Sequence, residues 1–263
     1  MSRIRITPDG ARYLADTPPS PFHLRPLLPL LCRRDPCRWK IATYLGIALT
    51  ALGTWALVGG WQGIAAALIL ASLPSTRYNA THPVLIDAMA LGLATCAAAA
   101  TVHGQPMLAA ILVLLAAATK ESAPIFAALF AWNPLLLAGL IVPAIIASLR
   151  TPGQDVLNDE HAAILAHPIQ AGREYHRRFL IDGSPALFTP WGGAIVALGA
   201  PSLQLFATLA AGYGQLLIAT DTTRLYQWAA PVVCIAATTA LGPQWWPLLI
   251  IATWFNPLRG DGV

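Results

Sequence analysis

The charged residues of this chain lie in a few short stretches between long apolar segments. Of the 263 residues, 56% are hydrophobic and only 11% are charged, whereas about 25% are charged in an ordinary soluble domain. The mean hydropathy is +0.60. Such a chain satisfies its backbone hydrogen bonds in a bilayer only as helices or as a closed barrel, and long apolar runs indicate helices. The sequence therefore predicts an all-α, polytopic transmembrane helical bundle.

The apolar segments divide the chain into four regions. About 8–10 membrane segments are expected, and some are shorter than the roughly 20 residues of a full span, so we expect them to be short or re-entrant. The regions are a juxtamembrane segment at 1–40, an N-terminal transmembrane half at 41–149, a polar and amphipathic loop at 150–185, and a C-terminal transmembrane half at 186–263.

All sixteen Lys and Arg fall on one side when each apolar segment is counted as one crossing. The turns at 59–60, 103–106, 133–134, 201 and 242–243 fall on the other side and carry no Lys, Arg, Asp or Glu. Short loops rich in Lys and Arg stay in the cytoplasm. We therefore expect a protein of the cell inner membrane whose polar face is cytoplasmic.

Asp9 is the candidate general base. It lies in Pro8-Asp9-Gly10, a sequence typical of a tight, exposed turn. The following stretch, 22–31, is too short to span a bilayer but apolar enough to lie on one. Near a low-dielectric surface the pKa of a carboxylate rises, which suits a base that takes a proton from an acceptor hydroxyl. The alternative is a turn residue that caps the next helix.

Asp87 is an acid inside an apolar segment, and ionisable residues at membrane depth are costly and usually functional. It follows a stretch at 74–83 that we expect to be a polar loop and that contains Arg77 and His82. We expect Asp87 to share a helix with His82 and to orient either His82 or Lys120. The alternative is a structural hydrogen bond to a neighbouring helix.

Lys120 and Glu121 end an alanine-rich segment. We expect the lysine to bind a lipid phosphate and the adjacent acid to steady it. A lysine that only extends its charge to the membrane interface is the alternative.

Two further basic stretches are candidate phosphate ligands. Arg177 and Arg178 lie in the polar loop and suit a phosphate clamp, although simple attraction to anionic lipids explains them too. Asp221 and Arg224 have the i, i+3 spacing of a helical ion pair. We expect Arg224, paired in this way, to face the lipid phosphate in the central cavity.

The sequence requires no cofactor and predicts no metal site, while the need for a divalent metal stays open. The acidic and histidine residues around Asp159 and His167 lack a recognised ligand spacing. Cys32 and Cys37 also lack the spacing of a zinc or redox motif.

Three stretches together resemble bacterial GT-C type glycosyltransferases, multi-pass enzymes that use polyprenyl-phosphate sugars. PDGARYL followed by FHLRPLLPLL resembles their Asp-bearing first loop. HPVLIDAMALGLATCAAAA and LAAILVLLAAATKESAPIFAALFAW resemble a helix pair that ends in Thr-Lys/Arg-Glu. ATDTTRLYQWAAPVV is similar to an Asp-x-x-Arg-Leu…Pro segment near the C-terminus. The ordered set extends from residue 8 to residue 233, over most of the length of the chain.

The resemblance implies inverting transfer of a sugar from a polyprenyl-phosphate donor, with Asp9 as the base. The residues that it implies for the donor phosphate are Arg25, Lys120, Arg177, Arg178 and Arg224. The supporting residues are Tyr13, Arg77, His82, Asp87, Glu121 and Asp221.

The chain departs from this family because it begins at the Asp-bearing loop, without the usual first transmembrane helix. We therefore expect a compact, inverted enzyme in contact with membrane lipids, whose acceptor is a cytoplasmic protein, nucleic acid or glycan. A transporter or flippase of a lipid-linked anion, and a non-enzymatic membrane scaffold, are the alternatives.

Overall fold

Every regular element that the structure describes is a helix, as the sequence predicts. The computed structural model describes residues 6, 8–14, 25–149, 189–215 and 226–256, and for residues 8, 9, 12, 189 and 190 it describes the backbone alone. The α-helices are α1 Pro8–Tyr13, α2 Leu27–Cys32, α3 Pro36–Val58, α4 Gly60–Ser72, α5 Pro74–Thr81, α6 Asp87–Val102, α7 Pro106–Thr119, α8 Ala123–Ala131, α9 Ile141–Ser148, α10 Leu203–Gly214, α11 Ala230–Ala240 and α12 Trp246–Trp254. The 3₁₀ segments are Pro134–Leu140, Thr189–Gly199, Gln227–Ala229 and Pro243–Trp245.

Within the described ranges, α3 is the one helix long and apolar enough to cross a bilayer. Its start is set by Asp35, whose side chain accepts from the backbone N–H of Cys37, and by Pro36 in the first turn. The helix ends at Gly59, whose φ of 76° is accessible to glycine. The paired segments Gln227–Ala240 and Pro243–Trp254 pass the same test jointly but are bent by 116°. The larger number of membrane segments stays a prediction.

Helix α6 is the centre of the bundle and packs against α3, α7 and α8. Almost all of its residues are buried, and most of them are alanine or another small residue. Small residues let α3 and α6 approach backbone to backbone. A Cβ at Gly46 of α3 would lie 2.4 Å from the backbone nitrogen of Met89, and one at Gly92 would lie 2.5 Å from the Gly46 carbonyl oxygen.

The side-chain contacts divide the bundle into two ends. At one end the imidazole of His103 contacts the Ala56 carbonyl, Gln62 donates to Thr239, and Gln204 donates to the Phe130 carbonyl. At the other end lie Arg25, Asp87, Lys120 and Glu121, and we call this the polar end. The helices α3, α4, α6 and α7 therefore alternate in direction, and the N-terminal and C-terminal halves of the chain pack against each other.

The apolar side chains are distributed inside out compared with a soluble domain. Large ones are exposed on the outer faces of several helices, among them Leu45, Leu52, Leu68, Leu108, Ile111, Leu135, Ile145 and Leu248. The interior is rich in alanine, glycine and threonine. Buried threonine hydroxyls bond the carbonyl one turn back, as Thr54 does to Thr50 and Thr95 does to Leu91. Only 33% of the apolar window of α3 is buried.

Three local predictions were wrong. Residues 74–83, expected as a polar loop, begin with α5, because Pro74 suits the first turn of a helix. His82 ends α5 and Asp87 begins α6, so the two residues do not share a helix. The Pro8-Asp9-Gly10 sequence opens the short helix α1 instead of forming a tight turn.

Candidate functional site

A buried ion pair lies at the polar end. The Nζ of Lys120 donates to Oδ1 of Asp87 at 2.6 Å, and the side chains are 9% and 0% exposed. Asp87 opens α6, where the partial positive charge of the helix N-terminus also favours an acid. The lysine additionally lies over the ring of Trp228, with Nζ 5.1 Å from the ring centroid. Of the two expected partners, Asp87 therefore contacts Lys120.

A second ion pair lies beside the first. Arg25 binds both carboxylate oxygens of Glu121 with one edge of its guanidinium, since Nε donates to Oε2 at 2.8 Å and Nη2 donates to Oε1 at 2.6 Å. Its Nη1 donates to the hydroxyl of Tyr13 at 2.9 Å. This bidentate geometry is the strongest that an arginine and a carboxylate can form. The contact joins residues 96 positions apart in the chain.

The hydrogen bonds of Lys120 and Glu121 go to different partners, while the charges of the two side chains still interact. Helix α7 ends at Thr119, and Lys120 has extended backbone angles, φ −154° and ψ 128°. Successive side chains of an extended backbone point to opposite sides. The lysine therefore reaches inward to Asp87, and the glutamate reaches Arg25.

Electrostatics at Arg25 and Glu121 reinforce the ionised forms of both groups. Burial alone would raise the pKa of Glu121, but the charge and hydrogen bonds of Arg25, with the charge of Lys120, outweigh it and lower the pKa from 4.5 to about 2. Burial alone would lower the pKa of Arg25, and its neighbours Tyr13 and Glu121 outweigh that and raise it.

The helix that carries Asp9 docks next to these ion pairs. A Cβ on Gly10 would lie 2.9 Å from the carbonyl oxygen of Val84, three residues ahead of Asp87. Tyr13, at the end of the same helix, packs against Trp39 with ring centroids 5.7 Å apart and accepts the bond from Arg25. The backbone of Asp9 is thereby held close to the start of α6, while its side chain lies outside what the structure describes.

The sequence offered little indication of three other residues at this end. Asn79 donates to Gln227 at 2.5 Å, and both side chains are buried. Between α5 and Gln227 lies a cavity of about 10 Å³, the size of one water molecule, with polar walls from Thr50, Ser75 and Asn79. Trp228 has a buried Nε1 with no hydrogen-bond partner among the described residues. The one indication in the sequence was Gln227 itself, a glutamine inside an apolar run.

No protein-family model, no curated protein and no solved structure matches this chain.

Of the remaining residues that the sequence predicts for the site, the structure describes two, Arg77 and His82. Arg77 is half-buried on α5 and lies over the ring of Trp254. His82 stacks on Tyr78, with 4.4 Å between ring centroids, and its Nδ1 contacts the carbonyl of Tyr78. The residues of which nothing is described are Arg177, Arg178, Asp221 and Arg224. Among the described residues no group of His, Cys, Asp and Glu could hold a metal ion.

The Arg25 and Glu121 pair should make stability depend on pH in the acid range. Because the pKa of Glu121 is lower in the folded protein, its contribution is fully present above pH 4.5 and is lost as the pH falls towards about 2. Thermal unfolding of the detergent-solubilised wild type and of Glu121→Gln, from neutral pH to about pH 3, measures this. We expect the difference in Tm to shrink below pH 4.5, and a difference that is constant with pH would contradict the assignment.

Proposed function

We propose that this chain is an integral membrane glycosyltransferase that takes a sugar from a polyprenyl-phosphate donor at the polar end of the bundle. The observation that carries the proposal is the docking of the Asp9-bearing helix α1 beside two charged pairs, Asp87 with Lys120 and Arg25 with Glu121. Burying such charges under an apolar bundle costs several kcal/mol per ion, a cost that folding alone does not require. The resemblance to GT-C type enzymes indicates the reaction, which is transfer of a sugar from a polyprenyl phosphate.

The inside-out distribution of apolar side chains supports the membrane location. Soluble monomers seldom expose contiguous apolar patches beyond a few hundred Å², whereas this bundle exposes large apolar side chains along α3, α4, α7 and α12. Its alanine- and glycine-rich interior is the packing expected between helices in lipid. With the polar end cytoplasmic, as the distribution of Lys and Arg predicts, the acceptor is a cytoplasmic protein, nucleic acid or glycan.

In the proposed reaction Asp9 takes the proton of an acceptor hydroxyl. The acceptor oxygen attacks the anomeric carbon, and the bond from that carbon to the phosphate oxygen breaks with inversion. The electron pair leaves with the polyprenyl phosphate, whose negative charge the basic residues of the polar end stabilise. Arg25 and Lys120 already have acidic partners and each pair is neutral overall, so their role in the proposal is to offer N–H groups to the leaving phosphate rather than to add net positive charge.

The test compares the purified wild type with Asp9→Asn in lipid, using radiolabelled polyprenyl-phosphate sugars and a cell lysate as the source of acceptors. We expect the wild type to release sugar from the lipid. The variant should bind the donor equally well and lose turnover, because asparagine cannot accept the proton. Arg38→Gln, on the exposed start of α3, serves as the matched control and should retain turnover. Equal turnover by Asp9→Asn would contradict the proposed base.

One observation favours a second function, a transporter or flippase of a lipid-linked anion. Both Arg25 and Lys120 are paired with carboxylates. A bound anion would have to displace one of these carboxylates from its cation, as in a protein that switches between two states. Such a protein should move the labelled lipid between leaflets without releasing sugar, and Asp9→Asn should not affect that movement.

A further inference from the structure

Arg77 is a cation of the polar end that has no acidic partner among the described residues. Arg25 has Glu121, Lys120 has Asp87, and the exposed Arg38 has Asp35. In Arg77 the atoms Nε and Nη2 are buried and have no hydrogen-bond partner within the described part of the chain. Buried N–H groups of a charged side chain that remain unpaired destabilise a protein, so their presence calls for a ligand.

The guanidinium of Arg77 lies against an aromatic ring. Its guanidinium carbon lies 5.7 Å from the ring centroid of Trp254 at the end of α12. Side chains two positions apart on a helix face different directions, so Asn79 can reach Gln227 on one side of α5 while Arg77 reaches α12 on another. The guanidinium therefore lies on the side of α5 that faces Trp254, away from the contact of Asn79 with Gln227.

Trp254 connects this guanidinium to the outer surface. The tryptophan is 51% exposed, and Leu248, Ile251 and Phe255 of the same region are exposed as well. Their spacing of three and four residues aligns them on one helix face. Tryptophan is enriched where a membrane protein meets the headgroups. A ligand at Arg77 could thus place an anionic group on the guanidinium and an apolar chain along α12.

We propose that Arg77 binds the phosphate of a prenyl-phosphate lipid at the place where its guanidinium meets Trp254, at the end of α12. The guanidinium fork matches two phosphate oxygens, and phosphate would satisfy the unpaired Nε and Nη2 together. This assignment rests on the proposed function for the identity of the lipid, since it makes Arg77 the direct ligand of the donor phosphate. The anion site itself follows from the charges and contacts alone.

The experiment measures binding to the full chain in detergent by isothermal titration calorimetry, with farnesyl phosphate, farnesol and inorganic phosphate as probes. We expect farnesyl phosphate to bind, and farnesol and inorganic phosphate to bind at least about tenfold more weakly. Arg77→Gln should weaken farnesyl phosphate binding by about ten- to a hundredfold. Arg77→Lys should lose less, and Arg38→Gln, an exposed cation on α3, should bind as the wild type does.

Unchanged binding of farnesyl phosphate to Arg77→Gln, or no binding to the wild type, would overturn the proposal. Equal, Arg77-dependent binding of inorganic phosphate and farnesyl phosphate would support the anion site and overturn its assignment to a lipid. Without ligand, Arg77→Gln should unfold at the same or a higher temperature than the wild type, because it removes an unpaired charge. A lower Tm would overturn the claim that the charge is uncompensated.

The outcomes also separate this site from the transferase activity. If the wild type transfers no sugar but binds prenyl phosphate, and Arg77→Gln loses that binding, the binding site is supported and the transferase function is rejected. Sugar transfer by Arg77→Gln with the KM of the wild type for the lipid donor would keep the transferase and reject the site.

Discussion

Asp87→Asn is expected to destabilise the protein by about 3–5 kcal/mol, because it leaves the buried charge of Lys120 without its carboxylate. The pair is almost entirely enclosed, with a distance of 2.6 Å between Nζ and Oδ1, so water replaces the lost partner poorly. The measurement is unfolding of the detergent-solubilised protein by heat or denaturant. The matched control is Asp35→Asn at the exposed start of α3, where asparagine caps a helix as well as aspartate does.

A double variant tests the cause of that loss. Asp87→Leu with Lys120→Met removes both charges at once and should regain most of the stability, because the cost lies in the unpaired ion rather than in the missing bond. A double variant as unstable as Asp87→Asn would show that packing, and not charge, is responsible. A single variant within about 0.5 kcal/mol of the wild type would contradict the buried pair itself.

Gly46→Ala is the second large effect, with an expected loss of about 1–3 kcal/mol from overpacking. The added Cβ would lie 2.4 Å from the backbone nitrogen of Met89 and 2.5 Å from the backbone carbon of Ala88. Backbone atoms of a buried helix cannot rotate away as a side chain can. Helices α3 and α6 would have to separate along their whole contact, including the approach at Gly92.

The control for Gly46→Ala is Gly214→Ala, the same chemical change in open space. A Cβ at Gly214 meets no atom within 4 Å. Alanine is favoured over glycine in a helix by up to about 1 kcal/mol, so this variant should be neutral or slightly more stable. Equal effects of the two substitutions on the unfolding temperature would mean that helix propensity, and not the close approach of α3 and α6, determines the result.

The sequence predicted the helical class, and it predicted which residues collect at one end. Long apolar runs between Gly, Pro and polar turns specify helices because of local backbone physics, and their alternation brings Asp87, Lys120 and Glu121 to one end. The rarity of an acid inside an apolar run singled out Asp87. Its contact with Lys120 was one of two expected alternatives, and the structure distinguishes between them.

The predictions that failed all depended on a local conformation or on the direction of a side chain. Residues 74–81 are polar enough for a loop, yet they form α5 because Pro74 starts a helix and Asn79 finds a buried partner. The side chains of Lys120 and Glu121 point to different partners because Lys120 has an extended backbone, which the sequence did not predict. The roles of Trp228 and Gln227 were missed because neither residue is unusual in sequence until the fold encloses it.

By itself, the sequence determined the helical class, the apolar outer faces and the grouping of charges at alternate helix ends, because each follows from hydropathy and from residues near in the chain. Only the tertiary structure decided which cation meets which acid. Arg25 meets Glu121 across 96 positions, and within the described part of the chain Arg77 meets the ring of Trp254 and no carboxylate. Such contacts depend on how closely α3 and α6 approach and on how α5 and α12 are oriented, and these are properties of packing that no local pattern contains.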